Sequence, residues 1–340
     1  MKLSRWIFLL SFLVALLPVA HAAGKPAGKG YTGAIVLEAE SGQILFEDNA
    51  DELNPPASMT KLMTFAVLHD KLADGSLQLT TQVKVTSADS KIGGTQVWLK
   101  EGEVFTVEDL IYAMMIQSAN DAAHALARTA AGSAEAFVGL MNAKARALGM
   151  TRTTFRTPHG LPPSNRHKSE GDLTTPRDFA TLCHHLLLET DVLKYTSVKS
   201  RPFGANRAQG PVVMNNHNHL LGKVTGLDGL KTGFTGSAGF CLSATAERNG
   251  RRIIAVAMGG SDSKSRDFKV AELIEQGFAN LPAKLVSTAR PSATRTDTPA
   301  APAVDAVPTV RTGAPTAEEA HSTPAEPVLT FRVIPPPKTK

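Results

Sequence analysis

A serine and a lysine stand three residues apart early in the chain, in the stretch NPPASMTKLMTF that runs from Asn54 to Phe65. Residues with this spacing share one face of a helix, so the Lys61 amine can reach the Ser58 hydroxyl. A serine becomes a strong nucleophile only beside a base, and lysine is such a base only where burial or nearby positive charge lowers its pKa. A serine before a helix is also a common N-cap. The spacing alone therefore predicts either a capped helix start or a nucleophile with its base.

Two later motifs carry complementary groups. Ser118 and Asn120 open a helical stretch in MIQSANDAAHAL, where a hydroxyl can relay a proton and an amide can hold a substrate carbonyl. Both are also ordinary helix-capping types. In GLDGLKTGFTGSAGF, Lys231 and Thr232 can clamp a carboxylate, and Gly233 can leave a strand edge open to a substrate backbone. The alternative for this motif is a Gly-rich entry into a strand.

The elements that position these motifs are predicted from periodicity and turn signals. The segment Gly33–Asp48 predicts a hairpin that turns at Ser41-Gly42, and Met59–Leu72 predicts a helix. Helical patterns then continue from about Thr106 to Gly149. Typical helix starts occur at Thr106, with Asp109 three residues on, and at Thr175, followed by Pro176 and Asp178.

Strand-like sequence returns after about Ser197. The stretch from Gly229 to Gly260 predicts two strands joined at Asn249-Gly250, and the stretch from Asp267 to Leu281 predicts a final helix. Strands near both ends and helices in the middle indicate an α+β fold, in which distant parts of the chain build one sheet around an inserted helical region.

The first 22 residues have the features of a secretory signal peptide. Lys2 and Arg5 precede an apolar run from Trp6 to Val19, and Ala20-His21-Ala22 is a cleavage signal. The rival is an uncleaved anchor, but a spanning helix needs roughly 20 apolar residues. Cleavage removes Lys2 and Arg5, so the net charge falls from +5 to +3. This modest charge and the absence of a long Lys/Arg run argue against nucleic-acid binding.

The composition divides the remainder into a folded domain, residues 23–282, and a tail, residues 283–340. Prolines interrupt Ala, Thr and Ser throughout the tail, which predicts disorder. Its last residues have no amphipathic face, so membrane anchoring is not supported. Export permits a disulfide between Cys183 and Cys241, although two buried thiols are favoured. His217 and His219 would share one face of a strand but have no third ligand nearby, so no metal is expected.

Taken in order, the three motifs Ser-x-x-Lys, Ser-x-Asn and Lys-Thr-Gly resemble those of the penicillin-recognising serine enzymes. The chain is most similar to the low-molecular-mass penicillin-binding proteins, the D-alanyl-D-alanine carboxypeptidases. The shared segments lie between about Tyr31 and Leu281 and include PPASMTKLMT, KIGGTQVWLKEGE, IQSANDAA, MNAKARALGM, LDGLKTGFTGSAG and AVAMGG. The resemblance implies an antiparallel sheet flanked by helices with an inserted helical region, the β-lactamase/transpeptidase-like fold.

The resemblance also implies a role for each motif residue. Ser58 would be the acylated nucleophile, Lys61 its general base, and Ser118 a member of the proton relay. The backbone N–H groups of Ser58 and Phe234 would form the oxyanion hole. Arg266 would help to hold the substrate carboxylate, with a solvated charge before a helix as the alternative. The implied substrate-binding residues are Asn120, Lys231, Thr232, Gly233, Phe234 and Arg266.

The implied reaction is acyl transfer from the D-Ala-D-Ala end of a peptidoglycan stem pentapeptide, without metal or cofactor, in the periplasm or cell wall. β-Lactams would trap Ser58 covalently. Phe234 stands where many carboxypeptidases carry histidine, which leaves a D,D-endopeptidase as an alternative. A β-lactamase would need a positioned glutamate and water that the sequence does not offer, so slow turnover is expected. An inactive peptidoglycan-binding scaffold is the alternative from another class, and the oligomeric state stays open.

Overall fold

The computed structural model describes residues 30–165 and 167–282. The predicted signal peptide and the Pro-rich tail lie outside the described residues. In the described part the strands are β1 (Gly33–Glu38), β2 (Ile44–Asp48), β3 (Gln82–Lys84), β4 (Val104–Thr106), β5 (Ser200–Phe203), β6 (Val212–Asn215), β7 (Leu227–Thr235), β8 (Gly239–Arg248) and β9 (Arg251–Gly260). The α-helices are α1 (Lys61–Ala73), α2 (Ser87–Ser90), α3 (Val107–Tyr112), α4 (Asn120–Ala131), α5 (Ala134–Ala147), α6 (Pro176–Glu189), α7 (Leu193–Thr196) and α8 (Ser263–Ala279).

A five-stranded antiparallel sheet joins the two ends of the described chain. Its strand order is β2-β1-β9-β8-β7, so β1 pairs with β9 across more than 200 residues of sequence. The strand β7 lies at one edge and pairs only with β8 among the described strands. The α+β fold and the sheet built from distant segments are therefore confirmed.

The sheet is covered on both faces. Along β8 the side chains alternate, so that Leu242, Ala244 and Ala246 meet α8 while Cys241 meets the helical region. The helix α8 packs on β8 and β9, and α6 packs on β9 and β1 from the other side. Small residues in β8 let both layers approach closely, which explains why its pattern is nearly continuous in buried residues.

The helix α1 lies inside the inserted helical region. All residues from Lys61 to Leu68 are buried, and α4, α5 and α6 contact this helix. A helix that is buried all round belongs to the core of a domain. A lysine at its first position is therefore held in a medium of low polarity.

Most local predictions are confirmed by the structure. The first hairpin turns between Glu38 and Ile44, and Asn249 and Gly250 both adopt positive φ, as a tight hairpin turn requires. Thr106 accepts a hydrogen bond from the backbone N of Asp109 (3.1 Å), as does Thr175 from that of Asp178 (3.1 Å). These features depend on a few neighbouring residues, so the sequence reveals them directly.

Two predictions need correction, and one feature was missed. The segment from Gly229 to Gly260 contains three strands, because the chain reverses after Thr235 and β8 begins at Gly239. The last helix begins at Ser263, where Asp262 caps it by accepting a hydrogen bond from the Ser265 N–H. The two-stranded ribbons β3–β4 and β5–β6 were not predicted, since strands of three or four residues leave little periodicity.

Cys183 and Cys241 are free and fully buried, as predicted. Burial raises the pKa of the Cys183 thiol to about 12 and that of Cys241 to about 11, so both stay protonated at neutral pH. No helix within residues 30–282 is long and apolar enough to cross a bilayer.

Candidate active site

Ser58 lies on a short 3-10 turn, Ala57–Thr60, that leads directly into α1. Pro55 and Pro56 precede this turn, and Ala57 takes a positive φ of 49°. The Ser58 side chain caps neither the turn nor α1. The capped-helix alternative for Ser58 is therefore wrong, and its hydroxyl stays available at the surface of a cavity.

Lys61 is fully buried and has three polar neighbours. Its Nζ lies 3.1 Å from Ser58 Oγ, 2.6 Å from Asn120 Oδ1 and 2.8 Å from the carbonyl oxygen of His159. A neutral amine has two protons and one lone pair. It can donate to the amide and carbonyl oxygens, which leaves the lone pair for the Ser58 hydroxyl proton. The geometry thus matches a lysine free base aimed at a serine.

Burial lowers the Lys61 pKa well below its usual value, and the positive charge of Lys231 lowers it further. Lys231 lies on the edge strand β7 with 3% of its surface exposed, and donates to the carbonyl oxygen of Thr232 (3.1 Å). Burial, followed by the charge of Arg266, lowers the Lys231 pKa to about 7. Because Lys61, Lys231 and Arg266 lie near one another, simultaneous protonation of the two lysine amines is disfavoured. This favours a neutral amine at Lys61.

Ser118 and Asn120 flank the junction between a π-helical turn, Ala113–Gln117, and α4. Ser118 has a left-handed backbone (φ 64°) and is 2% exposed at the cavity wall. Neither side chain caps α4. Asn120 accepts from Lys61 and donates Nδ2 to the carbonyl oxygen of Gly93 (2.8 Å), so its amide orients the base. Its contact with a substrate carbonyl stays a prediction.

The strand β7 passes very close to the serine turn. A Cβ atom added to Gly233 would lie 2.5 Å from the Pro56 carbonyl oxygen and 3.2 Å from the Met59 nitrogen. The sequence predicts that Gly233 leaves the strand edge open to a substrate backbone. The structure adds a close approach by the protein's own serine turn, which only a residue without a side chain permits.

Phe234 is 54% exposed and stacks on Phe240 across β7 and β8, with ring centroids 4.1 Å apart. Arg266 lies in the first turn of α8 and is 3% exposed. It donates from Nε and Nη2 to Asp267 Oδ1 (2.9 and 2.6 Å), and Asp267 Oδ2 lies 3.0 Å from His219 Nδ1. The alternative of a solvated arginine before a helix is therefore wrong.

These elements enclose a cavity of about 360 Å³. Lys61, Asn120 and Lys231 support it from behind the surface, while the lining residues are Ser58, Thr95, Ser118, His217, His219, Thr232, Gly233, Phe234, Phe240, Ser263 and Arg266. The nine residues singled out from the sequence thus assemble at one cavity although they come from four separate segments.

The prediction that His217 and His219 lie on a strand is wrong. Both lie in the loop after β6, and they line the cavity. Burial, with the charge of Lys231, lowers the His217 pKa to about 4, so its ring is neutral at pH 7. Within residues 30–282 no group of three metal-ligating side chains is clustered.

Sequence analysis missed two contributors behind the serine. The carbonyl of His159 holds Lys61, and burial followed by the Lys61 charge lowers the pKa of the His159 ring to about 3. Thr95 lies in the quoted segment KIGGTQVWLKEGE, and its carbonyl accepts from the Asn120 N–H (2.8 Å). Backbone groups leave no residue-type signal, and this explains why spacing did not reveal either contact.

The antiparallel sheet, the inserted helices and a serine beside a buried lysine define a penicillin-recognising serine enzyme of the β-lactamase/transpeptidase-like fold. A family model for D-alanyl-D-alanine carboxypeptidases matches residues 23–262. The chain belongs to the D-alanyl-D-alanine carboxypeptidase family, among the low-molecular-mass penicillin-binding proteins.

Curated relatives and a solved structure agree with this assignment. D-alanyl-D-alanine carboxypeptidase DacF of Bacillus subtilis is 34% identical over 246 residues, which cover 72% of this chain and 61% of the relative. D-alanyl-D-alanine carboxypeptidase DacC of Escherichia coli is 36% identical over 278 residues, which cover 79% of this chain and 67% of the relative. The chain thus spans about two thirds or less of these relatives. Penicillin-binding protein D2 of Listeria monocytogenes, in its ampicillin-bound form, is 31% identical with a TM-score of 0.65, over 73% of this chain and 97% of that one.

Proposed function

We propose that the protein is a serine-type D-Ala-D-Ala carboxypeptidase that removes the terminal D-Ala from peptidoglycan stem pentapeptides. The observation that carries this proposal is the 3.1 Å approach of Lys61 Nζ to Ser58 Oγ, with the other two Nζ contacts made to oxygen acceptors. Such an arrangement activates a serine without histidine or metal.

Acylation begins when the Ser58 proton moves to Lys61 Nζ and Oγ attacks the carbonyl carbon between the two D-Ala residues. Ser58 and Phe234 line the same cavity, and their N–H groups would hold the negative oxygen of the tetrahedral intermediate. The carbon–nitrogen bond then breaks, and the Lys61 proton passes to the leaving amine with the Ser118 hydroxyl beside the path. A water molecule afterwards cleaves the ester, which releases the tetrapeptide and restores Ser58.

Substrate selection rests on the carboxylate that ends the peptide. Thr232 presents a hydroxyl at the cavity, Arg266 contributes a charge there, and Lys231 adds positive potential from behind. A penicillin carries a carboxylate at a comparable place and would acylate the same serine. The ampicillin-bound form of the Listeria relative supports this expectation.

The test is covalent labelling of the mature protein with a penicillin, followed by intact mass measurement. We expect one adduct on the wild type, no adduct on Ser58→Ala, and a normal adduct on Ser197→Ala, which changes an exposed serine outside the cavity. An unlabelled wild type would refute the assignment of Ser58 as nucleophile. Rapid hydrolysis of nitrocefin by the wild type would point instead to a β-lactamase.

A D,D-endopeptidase is the second candidate, and the stacked pair Phe234 and Phe240 favours it. The exposed Phe234 ring and the half-buried Phe240 ring line the cavity and offer an apolar surface to a leaving group longer than a single D-Ala. Pentapeptide and cross-linked muropeptides offered separately distinguish the two activities. Free D-Ala from the first substrate supports the carboxypeptidase, and monomers released from the second support the endopeptidase.

Export is part of the proposal. The family match starts at residue 23, directly after the predicted cleavage site at Ala22, which supports removal of residues 1–22. The mature enzyme would then work in the periplasm or cell wall, where its substrate is. N-terminal sequencing of the exported protein should begin at Ala23. A first residue of Met1 would contradict cleavage.

A further inference from the structure

A buried carboxylate that does not line the cavity is hydrogen-bonded to segments next to Lys61. Asp172 is 4% exposed and accepts four hydrogen bonds, from Thr60 Oγ1 (2.8 Å), Arg156 N (2.7 Å), Thr157 N (3.0 Å) and Thr157 Oγ1 (3.2 Å). None of the described residues forms a salt bridge with it. A carboxylate buried without an ion pair is costly, so this site invites a functional explanation.

The donors of these hydrogen bonds belong to the two segments that hold Lys61. Thr60 is its immediate neighbour at the start of α1. Thr157 belongs to the loop whose carbonyl at His159 accepts from Lys61 Nζ, and its hydroxyl also accepts from Gly160 N (2.8 Å). Asp172 therefore joins the serine turn to the loop that orients the lysine.

The charge of Asp172 also acts on Lys61. Burial and Lys231 favour the neutral amine, whereas Asp172 and then Asp121 favour the ammonium form. The Asp121 carboxylate is occupied by backbone N–H groups of Val97 and Leu99. Three charged groups shift the Lys61 pKa: Lys231, Asp172 and Asp121. The Lys61 charge in turn lowers the pKa values of His159 and His217. Both histidines are neutral at pH 7, which leaves Lys231, whose own pKa is about 7, and the two carboxylates. Burial raises the pKa of Asp172 and of Asp121, and the hydrogen bonds that each carboxylate accepts act in the opposite direction and favour its charged form.

We propose that Asp172 is a positioning residue for the acylation of Ser58: it fixes Lys61 between the serine turn and the loop at His159, and its negative charge keeps the amine basic enough to take the serine proton. This inference rests on the proposed function. Asp172 itself takes up no proton, because the Ser58 proton resides on Lys61 Nζ until it passes to the leaving group. Without the nearby charge, the ammonium intermediate is less stable and the amine is a weaker base.

Asp172→Asn separates charge from geometry. The asparagine oxygen can keep both backbone N–H donors, and its NH₂ group can donate to the hydroxyls of Thr60 and Thr157. Asp178→Asn is the matched control, because Asp178 is also buried and accepts from Arg152 N and Thr153 Oγ1, both 2.8 Å, outside the segments that hold Lys61.

The measurement is the second-order rate of penicillin acylation between pH 5 and pH 10 on the full mature chain. For Asp172→Asn we expect the acidic limb to move to lower pH by about one pH unit. The plateau should fall roughly 3- to 10-fold, because a weaker base transfers the proton less well. Asp178→Asn should keep the wild-type profile. Asp172→Ala also loses the hydrogen bonds that position Lys61, so its acylation rate should fall on the order of 100-fold.

The outcomes are distinguishable. A wild type that forms no penicillin adduct refutes the proposed function itself. A wild type that reacts, beside an Asp172→Asn profile that superimposes on it or moves to higher pH, overturns only the role of Asp172. If Asp172→Ala does not fold, the Asp172→Asn profile still decides the question.

Discussion

At the scale of single residues, the site depends on two lysines that the fold holds in an unfavourable environment. Lys61 and Lys231 are both buried, and no carboxylate among residues 30–282 forms a salt bridge with either of them. Burial penalises their charged forms, so their pKa values fall and a neutral amine exists near pH 7. The reactivity of Ser58 is therefore supported by interactions that reduce the stability of the folded protein.

Replacement of Lys231 by methionine should increase the stability of the folded protein, because it removes a buried charge. The folded-state pKa of about 7 lies below the usual 10.5, so the folded protein binds the proton more weakly than the unfolded chain. The destabilisation is full below about pH 7 and disappears as the pH rises towards 10.5. We expect Lys231→Met to raise the free energy of unfolding by about 1–3 kcal/mol at pH 6, and by less at pH 9.

Denaturant unfolding at both pH values measures this effect, with the exposed Lys223→Met as the control that should change by less than about 0.5 kcal/mol. Penicillin acylation of Lys231→Met should fall at the same time, because the carboxylate loses its positive surroundings. A Lys231→Met protein that is less stable than the wild type at pH 6 would contradict the stated cost of burying this charge.

At the scale of elements, the decisive contact is that of the edge strand β7 with the serine turn. The two segments are about 170 residues apart in sequence, yet a Cβ atom on Gly233 would lie 2.5 Å from the Pro56 carbonyl oxygen. This close packing brings Ser58 and Phe234 to one cavity. Under the proposed function, a backbone shift of an ångström would separate Ser58 from the proposed oxyanion site.

Gly233→Ala should therefore reduce penicillin acylation on the order of 100-fold, because the added methyl group forces β7 away from the serine turn. Gly236→Ala is the matched control in the turn that follows β7, where an added Cβ meets no atom within 4 Å. Acylation of the control should stay within about two-fold of wild type. An unimpaired Gly233→Ala protein would show that the strand can retreat without harm to the site.

At the scale of the whole molecule, one continuous domain contains everything that the site requires. Strands from both ends of the described chain form the sheet, α1 lies within the inserted helices, and α8 covers the second sheet face with Val270, Leu273 and Ile274. The described residues end at Pro282, directly after α8. We therefore expect the described residues to suffice for activity without the tail.

A protein that ends at Pro282 should keep the penicillin acylation rate within about two-fold and the melting temperature of the full mature chain, because no site residue lies in the removed segment. A protein that ends at Gly260 is the contrasting variant. It loses α8 and exposes the apolar face of β8 and β9, so it should not fold. A large loss of activity in the variant that ends at Pro282 would assign the tail a role in the site.

The sequence by itself determined the elements that depend on near neighbours, and it predicted a set of candidate site residues. The caps at Thr106 and Thr175 and the turn at Asn249-Gly250 involve groups within three residues of one another, so their chemistry is visible in the order of the letters. Seven candidate site residues were likewise predicted from three motifs, whose order is specific even though each motif alone is weak. The family resemblance added Phe234 and Arg266.

Only the tertiary structure decided which alternative applies to each residue. Ser58 is not a cap and Arg266 is not solvated, but both facts depend on segments that lie far away in sequence. The boundary between β7 and β8 was missed, although Gly236 and Ser237 at the reversal are turn-type residues. Ser58 and Lys61 had the spacing of a nucleophile and its base from the start. The burial, the Lys231 charge and the His159 carbonyl that make Lys61 a base come from long-range packing, which periodicity does not encode.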